Sequence, residues 1–338
     1  MAYRPVTADV ARAAAPVRLD FAGGWTDVPP FSAREGGAVV TASINLLARA
    51  EAVRRRSGYL LRASELGSEV ELERPDAAVT DPKLNLHAAA LRLRPPSSPL
   101  SLTTSSDVPP GSGLGSSGAL DVAIVAALAA LEGEWLDPLH LAHEAWRLEA
   151  VEAKVPGGKQ DQYAAALGGF NVITFRDPDV SATTLSLDAA FSAELARRIV
   201  LCYTGASRLS GNTIARVMAA YQSGNSQVSG ALLELREVAV EMAEALRRSD
   251  LARVGALLTR NWQAQQRLDP AMRTPDMARL ESAMRNAGAI GGKAAGSGAG
   301  GCMFFLVGSD VESACAAATA SGARLLPVEW AMQGVRPC

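Results

Sequence analysis

The stretch Asp107-Val108-Pro109-Pro110-Gly111-Ser112-Gly113-Leu114-Gly115-Ser116-Ser117-Gly118-Ala119 constrains this chain more than any other. It is a glycine- and serine-rich loop, and the run from Leu120 to Leu131 that follows holds no proline and no glycine. That pattern predicts a buried helix entered through a flexible loop. Such a junction is a ready anion site. Unpaired backbone N–H groups point forward, the helix dipole adds partial positive charge, and glycines let the backbone come close to a bound group. Ser116 and Ser117 stand at the helix start, where either can cap the helix, ligate a hard cation such as magnesium, or both. An ordinary capped helix after a turn has the same local pattern, so the rest of the chain must decide.

The bulk properties narrow the classes. The 338 residues suffice for two domains with cores of their own. With 48% apolar residues, 20% charged residues and a formal net charge of −2, the chain reads as a soluble globular protein. It has no basic excess for nucleic acid, and aromatics at 5% are too few for a base-stacking surface. No uncharged run reaches membrane-spanning length, and the N-terminus lacks the apolar core of a secretory signal. Cys202, Cys302, Cys315 and Cys338 are scattered without CxxC spacing, which fits a reducing cytoplasm and no zinc site. His140 and His143 are three apart but have no third ligand nearby, so they read as a solvated helix face.

Residues 16–20 read as a strand running into Phe21-Ala22-Gly23-Gly24-Trp25-Thr26-Asp27-Val28-Pro29-Pro30. An aromatic beside a hydroxyl and a carboxylate suits a polyol, although a turn with a half-buried Trp has the same sequence. Residues 37–45, 46–54, 59–64 and 70–73 read as strands, 84–93 as a helix stopped by Pro95-Pro96, and 100–104 as a strand entering the central loop. Asp137-Pro138 is an N-cap followed by a helix that carries Glu144, Glu149 and Glu152 and ends near Pro156-Gly157-Gly158. Asp161 follows the break. A carboxylate late in one helix and another just after it can converge on one point, as phosphoryl transfer requires. Asp161 with Lys159 and Arg18 is equally the pattern of a structural ion pair. Residues 170–175 and 197–205 read as strands, and 225–266 as helix broken at Ser249-Asp250. Short helical pieces follow Asp269-Pro270 and Thr274-Pro275. Then come a second glycine-rich stretch, 288–301, strand 302–308, helix 311–320 and strand 323–330. The order indicates an α+β protein.

There is no GxxxxGK[ST], no GxGxxG after a first strand, and no HRD or DFG set, so neither a P-loop site, a dinucleotide fold nor a protein kinase fits. Three motifs instead resemble the GHMP small-molecule kinases: Pro16 to Asp27, Pro109 to Ala119, and Lys293 to Gly301. The last departs slightly, with Ser297 and Ala299 among its glycines. The resemblance covers essentially the whole chain. It implies a two-domain α+β GHMP kinase fold, with an N-terminal ATP-binding domain containing a left-handed βαβ unit (residues 1–180) and a ferredoxin-like C-terminal domain (181–338). It implies ATP and Mg2+ as cofactors, with the phosphates held by Pro110, Gly111, Ser112, Gly113, Leu114, Gly115, Ser116, Ser117 and Gly118. Ser116 and Glu149 match the metal ligands, and Asp161 matches the carboxylate that orients the acceptor hydroxyl and takes its proton. Arg18 matches a basic residue beside that carboxylate. An ordinary carboxylate is a weak base for an alcohol, so orientation and late proton acceptance are the role expected of Asp161.

Residues 21–30 and Gly158 to Ala166, with Tyr203-Thr204-Gly205, Arg208 and Asn212, resemble the branch holding D-glycero-D-manno-heptose 7-phosphate kinases and L-fucokinases. The shared implication is phosphorylation of an anomeric hydroxyl. Trp25 leans to the fucokinases; chain length and the Gly158 to Ala166 run lean to the heptose phosphate kinases, the preferred expectation. Trp25, Thr26, Asp27, Lys159, Gly296, Ser297 and Arg208 are the expected substrate contacts, with Lys159, Arg208 and Arg34 as cations for a substrate phosphate. A non-catalytic sugar or nucleotide sensor is the alternative of another class. A small-molecule sugar or sugar phosphate is thus the expected partner. Segment 225–266 would serve either a homodimer interface or the second domain's core, and the core is the preferred reading.

Overall fold

The structure, a computed structural model, describes residues 8–205 and 211–338. Its first half is built on β1 (Val10–Ala22), β2 (Gly37–Arg54), β3 (Tyr59–Ala63), β4 (Ser68–Leu72), β5 (Leu100–Ser106), β6 (Phe170–Arg176) and β7 (Asp179–Thr184). The helices among them are α1 (Phe31–Glu35), α2 (Asn85–Leu93), α3 (Ser116–Leu131), α4 (Pro138–Arg147) and α5 (Gln160–Leu167). The second half comprises α6 (Ala189–Arg198), β8 (Ile199–Tyr203), α7 (Gly211–Gln222), α8 (Ser226–Arg247), α9 (Leu251–Gln266), α10 (Pro275–Asn286), β9 (Ala289–Ala294), β10 (Cys302–Val307), α11 (Val311–Ala320), β11 (Arg324–Leu326) and β12 (Arg336–Pro337). Among the described residues no helix is long and apolar enough to cross a membrane.

The larger sheet has the order β12-β1-β2-β5-β3-β4, with β6 on β2 and β7 on β6. Residues 37–54, expected as two strands, are one. No glycine or proline interrupts them after Gly37, and what changes near residue 45 is the partner. Residues 37–42 pair with β6 and 48–54 with β5. Only β3 and β5 run parallel; the other pairs are antiparallel. Helix α3 lies on β1 and β2, and most of its residues are buried, which explains why its apolar positions show no one-sided pattern.

The smaller sheet is antiparallel throughout, in the order β11-β8-β10-β9. Numbered from its own first strand that is 4-1-3-2, the ferredoxin-like arrangement that the resemblance implies. The glycine-rich stretch from 288 opens with β9, buried in part against β10. The strand expected over 323–330 stops at Leu326, because Pro327 offers no N–H to a ladder. Beyond it Trp330 bridges to Ile44, and β12 pairs with β1, so the tail returns to the larger sheet. The division expected after residue 180 falls inside β7.

The caps read from sequence are formed. Asp137, Asp250 and Thr274 accept backbone N–H bonds at the starts of α4, α9 and α10. Helices α8 and α9 contribute to both apolar cores, which accounts for the helical run 225–266. Trp25, Val28 and Phe31, from the loop after β1 and from α1, belong to the core of the second half. The loop after β1 is thereby pinned between the halves, beside the cleft.

Candidate active site

One cleft of about 260 Å³ draws its walls from every motif singled out above. The central loop supplies the first wall. Gly111, Gly113 and Gly115 have φ of 68°, 77° and 72°, so alternate residues are left-handed and the intervening amides can turn to one side, the geometry of an anion nest. These three glycines line the cleft with Ser116 and Ser117, the first two residues of α3. Pro110, Ser112, Leu114 and Gly118 are not among the lining residues. Leu114 is core, and the Ser112 carbonyl accepts from Cys302 N at 2.7 Å. A Cβ on Gly118 would stand 2.6 Å from that of Asp161, so this glycine lets α3 and α5 touch.

Arg18, on β1 and almost wholly buried, ties the site together. Its Nε donates to Asp161 Oδ1 at 2.8 Å, and Nη1 donates to the carbonyls of Gly113 at 2.7 Å and Ala295 at 2.9 Å. One guanidinium thus holds the carboxylate of α5, the central loop and the loop after β9. Its fixed fork suits this triple contact. The Asp161 side chain is 30% exposed and faces the cleft.

Glu149 stands where α4 gives way to a π-helical turn over 148–152, a local widening that recurs at functional sites. Its Oε1 accepts from Ser117 Oγ at 2.6 Å and its Oε2 from Gln162 Nε2 at 2.7 Å. Of the two hydroxyls at the start of α3, the one paired with Glu149 is that of Ser117. Consecutive helix residues diverge by about 100°, and the azimuth of α3 turns Ser117 toward the π turn. Burial raises the Glu149 carboxyl, and nearby Asp161 adds to that effect. Asp27 is pushed up to about 6, chiefly by burial, against the lowering bond from the Gln160 amide. Its Oδ2 accepts from the backbone N of Lys159 at 2.8 Å and of Gln160 at 3.0 Å.

Two expected substrate contacts lie elsewhere. Thr26 is fully buried and braces the turn, donating to Gly23 O at 2.7 Å and accepting from Ala38 N at 3.0 Å. The ammonium of Lys159 is spent on Asp177 and lies 4.6 Å from the Trp146 ring centroid, away from the cleft. Arg34 sits over Tyr221, also outside the cleft. Arg208 falls outside the described residues. Trp25, Asp27, Gly296 and Ser297 do line the cleft.

The donor set suits a magnesium ion by its chemistry. Glu149, Ser117 and Asp161 offer hard oxygens at the mouth of the nest. Among the described residues no group of three or more His, Cys, Asp or Glu is set to hold an ion. Few protein ligands beside an anion site suit magnesium, which keeps water and phosphate oxygens as its remaining ligands.

One acid escaped the sequence reading. Asp121, one turn beyond Ser117 on α3, is fully buried, and neither carboxylate oxygen has a hydrogen-bond partner. The signal was there, a single charge inside an otherwise apolar run. Burial, then Glu149, holds its carboxyl well above the usual range. Folding therefore favours its protonated form, whereas the unfolded carboxyl ionises near pH 4. The unfolded chain then binds fewer protons, so stability falls as pH rises from that value through the folded pKa. Asp121→Asn is expected to flatten this fall between pH 4.5 and 7, read from urea midpoints; parallel curves for both proteins would refute it.

Family models described as GHMP kinases N terminal domain and GHMP kinases C terminal match residues 84–169 and 242–324. The D-glycero-alpha-D-manno-heptose 7-phosphate kinase of Campylobacter jejuni is 32% identical over 308 residues, 88% of this chain and 89% of that protein. The bifunctional fucokinase/GDP-fucose pyrophosphorylase of Arabidopsis thaliana is 27% identical over 319 residues, 88% of this chain but 30% of that longer protein. A crystal structure of a D-glycero-D-manno-heptose 1-phosphate kinase from Bacteroides thetaiotaomicron matches with a TM-score of 0.79 and 25% identity, covering 97% of this chain and 98% of that one. With both family domains present and a relative this similar over nearly its whole length, the chain belongs to the GHMP kinases and is a sugar kinase.

Proposed function

We propose that the chain transfers the γ-phosphoryl of ATP to the anomeric C1 hydroxyl of a sugar, with D-glycero-D-manno-heptose 7-phosphate as the acceptor. The observation that carries this reading is the Arg18–Asp161 pair held directly beside the Gly111–Ser117 nest. A carboxylate for the hydroxyl and a cradle for the phosphates share one cleft. The Campylobacter relative's name supports the heptose phosphate.

In this reading the amides around Gly111 to Ser117 hold the phosphates, and Glu149 with Ser117 holds magnesium. Bound magnesium would neutralise phosphate charge and fix its orientation. Asp161 accepts a hydrogen bond from the acceptor hydroxyl, which aims the oxygen, and takes its proton as the new bond forms. Arg18 keeps that carboxylate in place and faces developing charge. Asp27 and Trp25 bound the sugar, while Gly296 and Ser297 close the far side. The preferred proton acceptor is thus positioned before substrate arrives.

A second reading, an unphosphorylated sugar of the L-fucose type, has one observation in its favour. Among the described lining residues Arg18 is the cation, and it is already paired with Asp161. ADP release with the heptose 7-phosphate, L-fucose and galactose decides. The expected result is the highest kcat/KM for the heptose phosphate, with phosphorus NMR placing the new ester on C1. Turnover of L-fucose alone would transfer the assignment to the second reading, and sugar binding without turnover would leave only a sensor.

A further inference from the structure

A buried polar seam joins the two halves beside the cleft. Lys293 on β9 is fully buried, and its Nζ donates to Asp20 O at 2.5 Å and to Asp20 Oδ2 at 2.9 Å. Asp20, near the end of β1, is 1% exposed. Two residues along each segment the halves are tied again, since Arg18 Nη1 donates to Ala295 O at 2.9 Å. Residues two apart on a strand share a face, so Arg18 and Asp20 turn opposite charges toward the second half together. Helix α9 adds a second row. Asn261 Oδ1 accepts from Gly23 N at 2.9 Å, and Gln265 Nε2 donates to Gly296 O at 2.7 Å. Asn261 and Gln265 are buried as well.

What this seam holds is the second glycine-rich loop. Ala295 N donates to Cys302 O at 2.9 Å and closes the loop at its base. A Cβ on Gly296 would lie 2.5 Å from Gly113 O, and one on Gly301 would lie 2.7 Å from Ser112 O. The two glycine-rich loops are thus in backbone contact. A shift of β9 relative to β1 is passed directly to the side of the cleft lined by Gly296 and Ser297.

A buried ion pair is a poor source of stability. Desolvating both charges costs about what their attraction returns, and apolar residues of similar volume often serve as well. The pair does favour one alignment over its neighbours. A slip of two residues along β9 would set Gly291 or Ala295 opposite Asp20 and leave two charges buried without partners. In the observed alignment the charges balance, Arg18 with Asp161 and Lys293 with Asp20.

We propose that Lys293 and Asp20 are positioning residues that set the register of the second glycine-rich loop over the central loop. Register, more than stability, is what the pair contributes. Neither residue is asked to touch the reacting groups; both act through Ala295 and Gly296. This role rests on the preceding reading of Gly296 and Ser297 as the side that closes over the substrate.

The test exchanges the pair for apolar residues of similar shape, Asp20→Leu with Lys293→Met in one chain, so that no charge is left alone. Urea midpoints and steady-state kinetics are read together, with the heptose 7-phosphate and L-fucose as acceptors. The midpoint is expected to stay at or above the wild-type value while kcat falls about 100-fold, the loss that a misplacement of about 1 Å brings. A pair that only stabilises would show the reverse, a lower midpoint with kcat kept, and wild-type kcat in the folded double variant would overturn the proposal. Should that variant not fold, Gln265→Met carries the result. It frees Gly296 O from outside the charged row and is expected to lower kcat about tenfold, the scale of one orphaned buried acceptor; an unchanged kcat would overturn the register role. Wild-type turnover with neither sugar would overturn the acceptor assignment alone. The register is then read by calorimetry from the affinity for magnesium ATP, expected to be about tenfold weaker in the folded double variant for the same reason, and equal affinities would overturn it.

Discussion

Replacing Asp161 with Asn should lower kcat by about 10²- to 10⁴-fold, the usual contribution of a positioned proton acceptor, with KM changed far less. The substitution keeps the shape of the side chain and an oxygen that can still accept from Arg18 Nε, which now lies at 2.8 Å. It removes the negative charge and the ability to take a proton. Losing the counter-charge of buried Arg18 should lower the urea midpoint, but the retained hydrogen bond keeps the fold, and the fall in kcat belongs to the chemical step. Steady-state kinetics beside a urea curve checks both halves of this statement. A variant that turns over at nearly the wild-type rate would remove Asp161 from the chemistry and return it to the role of a structural ion pair.

Arg18→Met should be damaging in two ways at once. Arg18 is 4% exposed and satisfies Asp161 and two backbone carbonyls contributed by loops 95 and 277 residues away in sequence. Met fills much of the volume but donates nothing. The carbonyls of Gly113 and Ala295 would be left short of a donor, and Asp161 would lose its counter-charge. Breaking a fully buried pair costs about 3–5 kcal/mol. Asp161 retains some contact with water, so a loss near the low end, about 3 kcal/mol, is expected. Activity should fall further than stability explains, because Asp161 and the glycine-rich loop lose their shared anchor. Arg18→Lys, which restores charge without the fork, should recover part of the stability and little of the rate. Unchanged denaturation midpoints in Arg18→Met would show that these bonds contribute nothing to the fold.

These two residues also show where sequence reading succeeds and where it ends. The helix starts at Asp137, Asp250 and Thr274 were legible because a cap is an interaction across two or three residues. The central loop was legible for the same reason: glycine spacing and an apolar run are local facts, and the nest they form is local geometry. The resemblance of three motifs carried the family and brought Arg18, Glu149 and Asp161 forward together.

Other features depend on the path of the whole chain. Ser116 and Ser117 are equivalent in composition, and only the packing of α3 against the π turn at Glu149 pairs that acid with Ser117. Lys159 sits two residues before Asp161, yet its ammonium is drawn away to Asp177, on the turn between β6 and β7. Asp20 meets Lys293 across 273 residues, where burial makes an unpaired charge costly and so forces each to find the other. Sequence by itself determined the caps, the glycine-rich central loop and, through the three motifs, the class of chemistry, because those are set by neighbours along the backbone. Which hydroxyl meets Glu149, which cation is spent elsewhere, and which buried acid meets Lys293 were decided only by tertiary packing, since desolvation acts on groups that the fold alone brings together.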